Sequence, residues 1–429
     1  MRTRHSSKTR STGVPTADPG CSVYSMSRRI PTVRHGAGFW IVAVTFLLVM
    51  AYSTVPTPLY PLYQQRDGFP AFVITMIFAA YAVGVIVSLY LAGHVSDWLG
   101  RRRVLVVAVL ISALSAVLFL LFPEVPGLIV ARLINGASIG MLTATATAHL
   151  GELRQAARPN ENTVVAASVS GAANLGGLSL GPLVGGIFAE FLPDPLVLPH
   201  LVFLLVLIVA AVALMLVPET VDVPDERRPY HPQKLSVPPG AKRPFVIAAF
   251  GAFSGFAVFG LFTSLAPTFL ATTFEAGDHL LAGATSFAVF AAAAAGQILL
   301  TPIAVHRQLT VAIVACASGL LLIALGAVLP QIVLFIGGGV VAGLGVGLLF
   351  KGAISTAASL ADPKRKGETL ALMFLVAYAG LAIPVLIVGA ALAFEPATGV
   401  LLVFVALVLA ATVTAGTLMR RRARASIRP

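Results

Sequence analysis

The chain alternates between long apolar runs and short polar connections. A helix needs about 20 apolar residues to cross the hydrocarbon core of a bilayer. Such runs predict spans at 39–62, 71–92, 104–122, 127–150, 163–188 and 200–217. After a polar stretch they resume at 246–271, 281–303, 310–329, 332–357, 369–393 and 397–419. Glycine and proline inside these runs do not disqualify them, because membrane helices tolerate both. The interruption at 218–245 is rich in proline and charge (Pro218-Glu219-Thr220, Pro224-Asp225-Glu226-Arg227-Arg228-Pro229, Pro238-Pro239) and reads as a flexible linker. The expected organisation is a tail (1–37), a six-helix bundle (38–217), the linker, a second six-helix bundle (246–419) and a basic tail (420–429). Gly136 and Gly140 in the fourth run are echoed by Gly343 and Gly347 in the tenth, as a repeat of the two halves requires.

Composition moves the picture from water to lipid. Of 429 residues, 58% are hydrophobic and 11% charged, where a soluble domain carries about a quarter charged residues. In water such a surface would expose large sticky patches. The formal net charge is +12, from 29 Lys+Arg against 17 Asp+Glu. A basic balance can signal nucleic acid, but these basic residues stand in short clusters between apolar runs, which suits membrane topology instead. The tails and alternate connections hold Arg28, Arg29, Arg34, Arg101-Arg102-Arg103, Arg154, Arg158, Arg227, Arg228, Lys234, Lys242, Arg243, Arg307, Lys364-Arg365-Lys366 and Arg420-Arg421-Arg422. The opposite connections hold Arg66 alone. Both termini are therefore expected on the cytoplasmic side of a cell (inner) membrane, in keeping with an even number of spans.

Two cysteines, Cys21 in the polar tail and Cys316 inside an apolar run, argue against a disulfide framework and a metal site. Residues 1–25 lack the apolar core of a signal peptide. Cys21 follows Asp18-Pro19-Gly20 with no apolar stretch before it, against a lipoprotein site, and Met26 is a candidate start.

Three motifs carry further information. The connection after the second span is Gly93-His94-Val95-Ser96-Asp97-Trp98-Leu99-Gly100-Arg101-Arg102-Arg103. Gly100 permits a tight turn between antiparallel helices, and Asp97 can serve a neighbouring helix N-terminus or pair with an arginine. The fourth span carries Arg132-Leu133-Ile134-Asn135-Gly136 and then Gly140. Arg132, Asn135, Gly136, Thr143 and Thr147 fall largely on one helix face. A charge in a span is a functional hypothesis by default, the alternative being that Arg132 snorkels from the outer end. The fifth span carries Gly177-Leu178-Ser179-Leu180-Gly181-Pro182-Leu183-Val184-Gly185-Gly186. Its four-residue repeat of small residues allows close helix approach, and Pro182 adds a bend.

These three segments resemble the loop motif, the span-four arginine motif and the antiporter motif of the major facilitator superfamily, in the drug/proton antiporter-like branch. Asn135 stands where that family more usually has glutamine, and the second half matches in pattern only, with a degenerate counterpart loop at 304–309. The resemblance implies an all-α membrane protein, two six-helix bundles around a central cavity, working by rocking of the halves. It implies that Gly93, Asp97, Gly100, Arg101, Arg102 and Arg103 latch the halves. It implies that Gly177, Gly181, Pro182, Gly185 and Gly186 mark exchange with protons.

The sequence departs from proton-coupled members in one respect: none of the twelve runs contains Asp or Glu. Asp67 and Glu190, at span ends, are the carboxylates available for proton coupling, and His149 and His200 at span edges titrate in the right range when unperturbed. A structural or solvated role is the competing reading for each. The charges inside spans are basic, Arg132 and Lys351; if both face the cavity they favour an anionic substrate. Three prolines, Pro56, Pro58 and Pro61, should kink or end the first span at its outer end, and freed carbonyls there are tolerated where they line a cavity. Cavity candidates are Tyr52, Tyr81, Arg132, Asn135, Lys351 and Tyr378, with Tyr60 and Tyr63 expected in the interfacial aromatic belt.

The expected activity is export of a small amphipathic or drug-like molecule in exchange for protons. The expected partners are that molecule, protons and the lipid bilayer; the chain is expected to act as a monomer, without nucleic acid. No cofactor is required: no Gly-rich loop with Gly-Lys-Ser/Thr is present to bind ATP. No nucleophile–base pair or metal cluster suggests an enzyme. The alternatives are an importer or facilitator of a metabolite such as a sugar or organic anion, and a non-transporting receptor or scaffold.

Overall fold

The structure, a computed structural model, describes residues 32–161, 164–221, 230–362 and 365–425. Cys21, Met26, Arg28, Arg29, Arg227, Arg228 and Lys364, named above, lie outside them. The helices are α1 (His35–Thr54), α2 (Tyr60–Asp67), α3 (Ala71–Ala92), α4 (Ser96–Leu99), α5 (Arg101–Leu121), α6 (Val125–Ala157), α7 (Val164–Phe191) and α8 (Leu198–Met215). They continue as α9 (Lys242–Gly260), α10 (Ala266–Thr273), α11 (His279–Leu299), α12 (Val305–Val328), α13 (Ile332–Leu360), α14 (Lys366–Ala391) and α15 (Ala397–Ala425). Among the described residues twelve candidate membrane spans result; α1 with α2 forms the first, and α9 with α10 the seventh. Large apolar side chains such as Leu205, Val209, Ile387 and Leu407 stay exposed on their outer faces, where lipid is the fitting solvent.

Both paired spans break at proline. Helix α1 stops at Thr54, a 3-10 turn covers Thr57–Leu59, and the chain resumes as α2. In the seventh span a π-helical turn, Leu261–Leu265, precedes Pro267, where the absent N–H favours a widened turn. The helices at the basic face outrun the predicted apolar runs: α6 reaches Ala157, α13 Leu360 and α15 Ala425. Backbone hydrogen bonding continues there while the side chains change from apolar to charged. Conversely, the run predicted to 303 ends as a helix at Leu299, because Pro302 follows within three residues.

Within the first half α3 packs on α6, α1 on α7, and α5 on α6 and α8; within the second, α13 packs on α11 and α12, α9 on α14, and α15 on α12. The halves meet along two seams, α7 against α11 and α3 against α14. Small residues set these approaches. A Cβ at Gly136 or Gly140 would fall on the Tyr81 or Val85 carbonyl of the second span. One at Gly343 or Gly347 would fall on the Val289 or Ala293 carbonyl of the eighth. The glycine echo in the sequence therefore marks the same seam, span four on span two, in each half. Gly177 and Gly181 pack on α1 and Gly185 on Val55 and Pro58 just beyond it, whereas Gly186 and Pro182 meet His279 and Gly283 of α11.

Candidate substrate cavity

Between the halves lies a cavity of about 380 Å³. Its walls come from the basic-face portions of the helices: Thr143 and Thr147 of α6, Ser170 and Asn174 of α7, Gln297 of α11, Lys351 and Ile354 of α13. At the opposite face the halves are closed. The Glu190 carboxylate accepts the backbone N–H of His279 at 3.2 Å and lies 3.6 Å from its Nδ1. Deeper in the same seam Ser179 Oγ donates to the Phe287 carbonyl at 3.0 Å, and on the other seam Gly389 packs against Thr75. The cavity is thus sealed from one face and reaches toward the other.

Eight aromatic rings line it and form one connected chain. Phe78 neighbours Tyr81 (centroids 6.4 Å apart), Tyr81 neighbours Tyr378 across the halves (6.3 Å), and Tyr378 neighbours Phe256 (5.9 Å). Phe256 then branches to Phe259 and Phe290 (5.6 and 4.4 Å) and to Phe350 and Phe374 (4.7 and 5.9 Å). Such rings offer flat, polarisable surfaces to a ligand. Among the described residues lining the cavity, Lys351 carries the sole formal charge. Its Nζ donates to the Gln297 carbonyl at 2.7 Å and to Thr301 Oγ1 at 2.8 Å.

Of the predicted cavity residues, Tyr81, Lys351 and Tyr378 line this space, and Tyr52, Arg132 and Asn135 do not. Arg132 neither faces the cavity nor snorkels: it is 1% exposed, behind Ser53 and Tyr81. Its Nε donates to Tyr60 Oη at 2.5 Å and its Nη1 to the Ser53 carbonyl at 2.6 Å. Its guanidinium lies 5.2 and 5.7 Å from the Tyr60 and Tyr81 ring centroids. Ser53 is in the last turn of α1, where carbonyls lose their helical partners, so the proline break supplies an acceptor for the buried charge. Tyr60 and Tyr63 are likewise not in an interfacial belt but fully buried. Tyr63 Oη and Tyr52 Oη flank His200, at 3.3 Å from Nε2 and 3.1 Å from Nδ1, and Phe119 stacks on its ring at 4.5 Å. Asn135 is buried with Nδ2 3.5 Å from Ser112 Oγ, and His149 is buried near the basic face.

The proton-coupling candidates part company. Asp67 is held by Arg66 through two 2.7 Å contacts at the sealed face and does not reach the cavity. Glu190 bridges the halves at the seal. In the loop motif, Gly100 takes φ 97°, Asp97 pairs with Arg101 at 2.5 Å, and Arg101 pairs with Glu152 of α6 at 3.0 Å. The Glu219 carboxylate accepts the backbone N–H groups of Arg101 and Arg102 at 2.8 and 3.1 Å, as an anion at a helix N-terminus should. Arg103 is exposed, and Gly93 closes α3. In this conformation the motif ties spans two to six together; its neighbour across the molecule is the linker. His94 stacks on His231 at 5.0 Å, Gln233 N–H donates to the Tyr90 carbonyl at 2.7 Å, and Ser236 bonds Glu368 and Thr369 of α14 at 2.5 and 3.0 Å.

The sequence reading missed the six phenylalanines of the wall, the His279 partner of Glu190 and the His94–His231 stack. The phenylalanines carried no usable signal, since those facing lipid look the same. His279, at the edge of a span opposite Glu190 in the topology, was the one available hint.

The geometry of twelve spans in two repeated halves agrees with what comparison finds. The family model described as Major Facilitator Superfamily matches residues 41–384. The puromycin resistance protein pur8 of Streptomyces alboniger is 30% identical over 162 residues, 38% of this chain and 32% of that protein. The arabinose-proton symporter of Bacillus subtilis is 34% identical over 77 residues, 18% of this chain and 17% of that protein. The chain thus spans a third or less of the length of these two relatives. The crystal structure of the human organic anion transporter MFSD10 superposes with a TM-score of 0.65 at 18% identity, over 90% of this chain and 100% of that one. With most of its length matched by the family model and its fold shared, the chain belongs to the Major Facilitator Superfamily.

Proposed function

We propose that this protein is a secondary transporter that exports small amphipathic, drug-like compounds in exchange for protons. It acts as a monomer in the cell membrane, with both termini cytoplasmic. The observation that carries the reading is the aromatic cavity at the meeting of the two halves, sealed at one face and extending toward the other. A site reached from one face at a time is what alternating access needs. The basic connections favour a cytoplasmic reachable face, and a cavity reached from there suits the loading of an outgoing compound. The similarity to a puromycin resistance protein supports export. A wall whose exposed surface is mainly ring, with hydroxyls and amides from Thr143, Thr147, Ser170, Asn174 and Gln297 between, suits an amphipathic body.

Glu190 supports proton coupling through its position. Its carboxylate holds the seal between α7 and α11, so protonation removes the negative charge at the α11 N-terminus and favours opening to the far side. The test is flux in inverted membrane vesicles under an imposed pH gradient, against cationic, neutral and anionic compounds. Substrate-dependent proton release from the vesicle interior, lost in Glu190→Gln, is expected. Movement that ignores the gradient removes the antiport reading, and no movement of any compound removes transport.

A further inference from the structure

The cavity is unbalanced in charge. Eight rings supply an apolar, flat-walled space, and the one formal charge among its described lining residues is the Lys351 ammonium. Both groups that accept from that ammonium are neutral, a backbone carbonyl and a threonine hydroxyl. An ammonium has three N–H donors, so one remains for a further acceptor, and the charge itself has no counter-ion there. Arg132 does not add to this field at contact range, because it is outside the lining, buried behind the wall where Nη1 and Nε bond Ser53 and Tyr60. A cationic ligand entering such a space would lose its hydration beside a like charge, with no carboxylate to replace the water. A monoanion would supply the missing partner, and its desolvation would be met by a charge-assisted hydrogen bond.

Placement sharpens the ligand's shape. Lys351 directly follows Phe350, which links Phe256 to Phe374 in the connected rings, and lies on the basic-face side of the cavity. The rings run from there to Phe78 and Tyr81 of the other half.

We infer that the cavity takes aromatic carboxylates, with the flat body between the rings and the carboxylate on Lys351. The assignment deepens the transport reading: it rests on that reading only in taking this cavity as the substrate site. Lys351 also braces α13 to α11 through its two bonds, so the test must separate anchoring from bracing.

The full chain in lipid nanodiscs is dialysed to equilibrium against naphthoate, naphthamide and naphthylmethylammonium, one ring system in three charge states, with empty nanodiscs subtracted. Wild type is expected to hold naphthoate at least about tenfold tighter than the ammonium compound, the scale of one charge-assisted contact. Lys351→Gln should lose that preference, weaken naphthoate binding far more than naphthamide binding and elute as a monodisperse peak; Lys351→Arg should keep the preference. Three results overturn the assignment. They are equal or tighter binding of the ammonium compound, naphthoate affinity unchanged in Lys351→Gln, and no naphthoate binding by monodisperse wild type. Flux in proteoliposomes then separates the two readings. Naphthoate bound but never moved defeats transport and leaves the anion site. A cation moved where naphthoate is neither bound nor moved defeats the anion site and leaves transport.

Discussion

Arg132 shows how a charge is kept inside an apolar half-bundle. Burying a guanidinium is costly unless donors are met and charge is spread over partners. Tyr60 Oη and the Ser53 carbonyl meet Nε and Nη1 here and two ring faces spread the charge, while Nη2 has no hydrogen-bond partner among the described residues. Both hydrogen-bond partners depend on the proline break of the first span, which turns Tyr60 inward and leaves Ser53 at a helix end. Arg132→Leu should therefore destabilise the chain by about 3 kcal/mol, the cost of breaking a buried polar cluster, by leaving the tyrosine hydroxyl and the carbonyl unmet. Arg132→Lys should recover only part, since an ammonium cannot reproduce the planar fork. Thermal unfolding in detergent measures both. A melting temperature unchanged in Arg132→Leu would remove the structural role given to it here.

At the scale of elements, close helix approach and one strap carry the argument. The glycines of α6 and α13 occupy matching seams, so the two halves reuse one packing solution with different sequences around it. The linker segment after Tyr230 straps the end of α3 to the start of α14. Its contact with the loop motif is the His94–His231 stack. Burial, then the neighbouring His231, hold the His94 imidazole below the ordinary histidine range, against the opposing pull of Asp97. A base whose bound-state pKa is depressed favours the docked strap in its neutral form. Docking is thus fully supported above about pH 6.5, the free histidine value, and weakens as pH falls through the lower docked value. The amide of Gln233 should lose hydrogen-exchange protection over that acidic window, and His94→Phe should flatten the response. Protection independent of pH in wild type would show that the stack does not hold the strap.

For the whole molecule, the arrangement of seams fixes which face the cavity serves. Glu190 and His279 close one end while the basic ends of α6, α7, α13 and α14 stand around the other. Cysteines at Glu190 and His279, cross-linked by oxidant in a chain lacking Cys21, should abolish downhill substrate flux, and reduction should restore that flux without its coupling to protons. In the same locked chain, Lys351→Cys should react with a membrane-impermeant thiol reagent from the basic face alone. Labelling from both faces would mean that the two contacts do not form the seal.

The sequence by itself determined the number of spans, their alternating basic connections, the proline breaks and the glycine stripes. All of these follow from local rules: how many apolar residues cross a bilayer, where a backbone donor is missing, where a side chain leaves no room. Its motifs also named the residues that the loop and the fifth span would use for packing. What it left open is rotational. Phenylalanine gains equally by facing lipid or facing another ring, so the pattern could not say that Phe78, Phe256, Phe259, Phe290, Phe350 and Phe374 turn to the cavity while Leu205 and Val209 face outward. Nor could it say that Arg132 would turn into its own half while Lys351 turned to the centre. Those choices were made by the tertiary structure, because each helix's rotation is set by the backbone it must approach at its glycines.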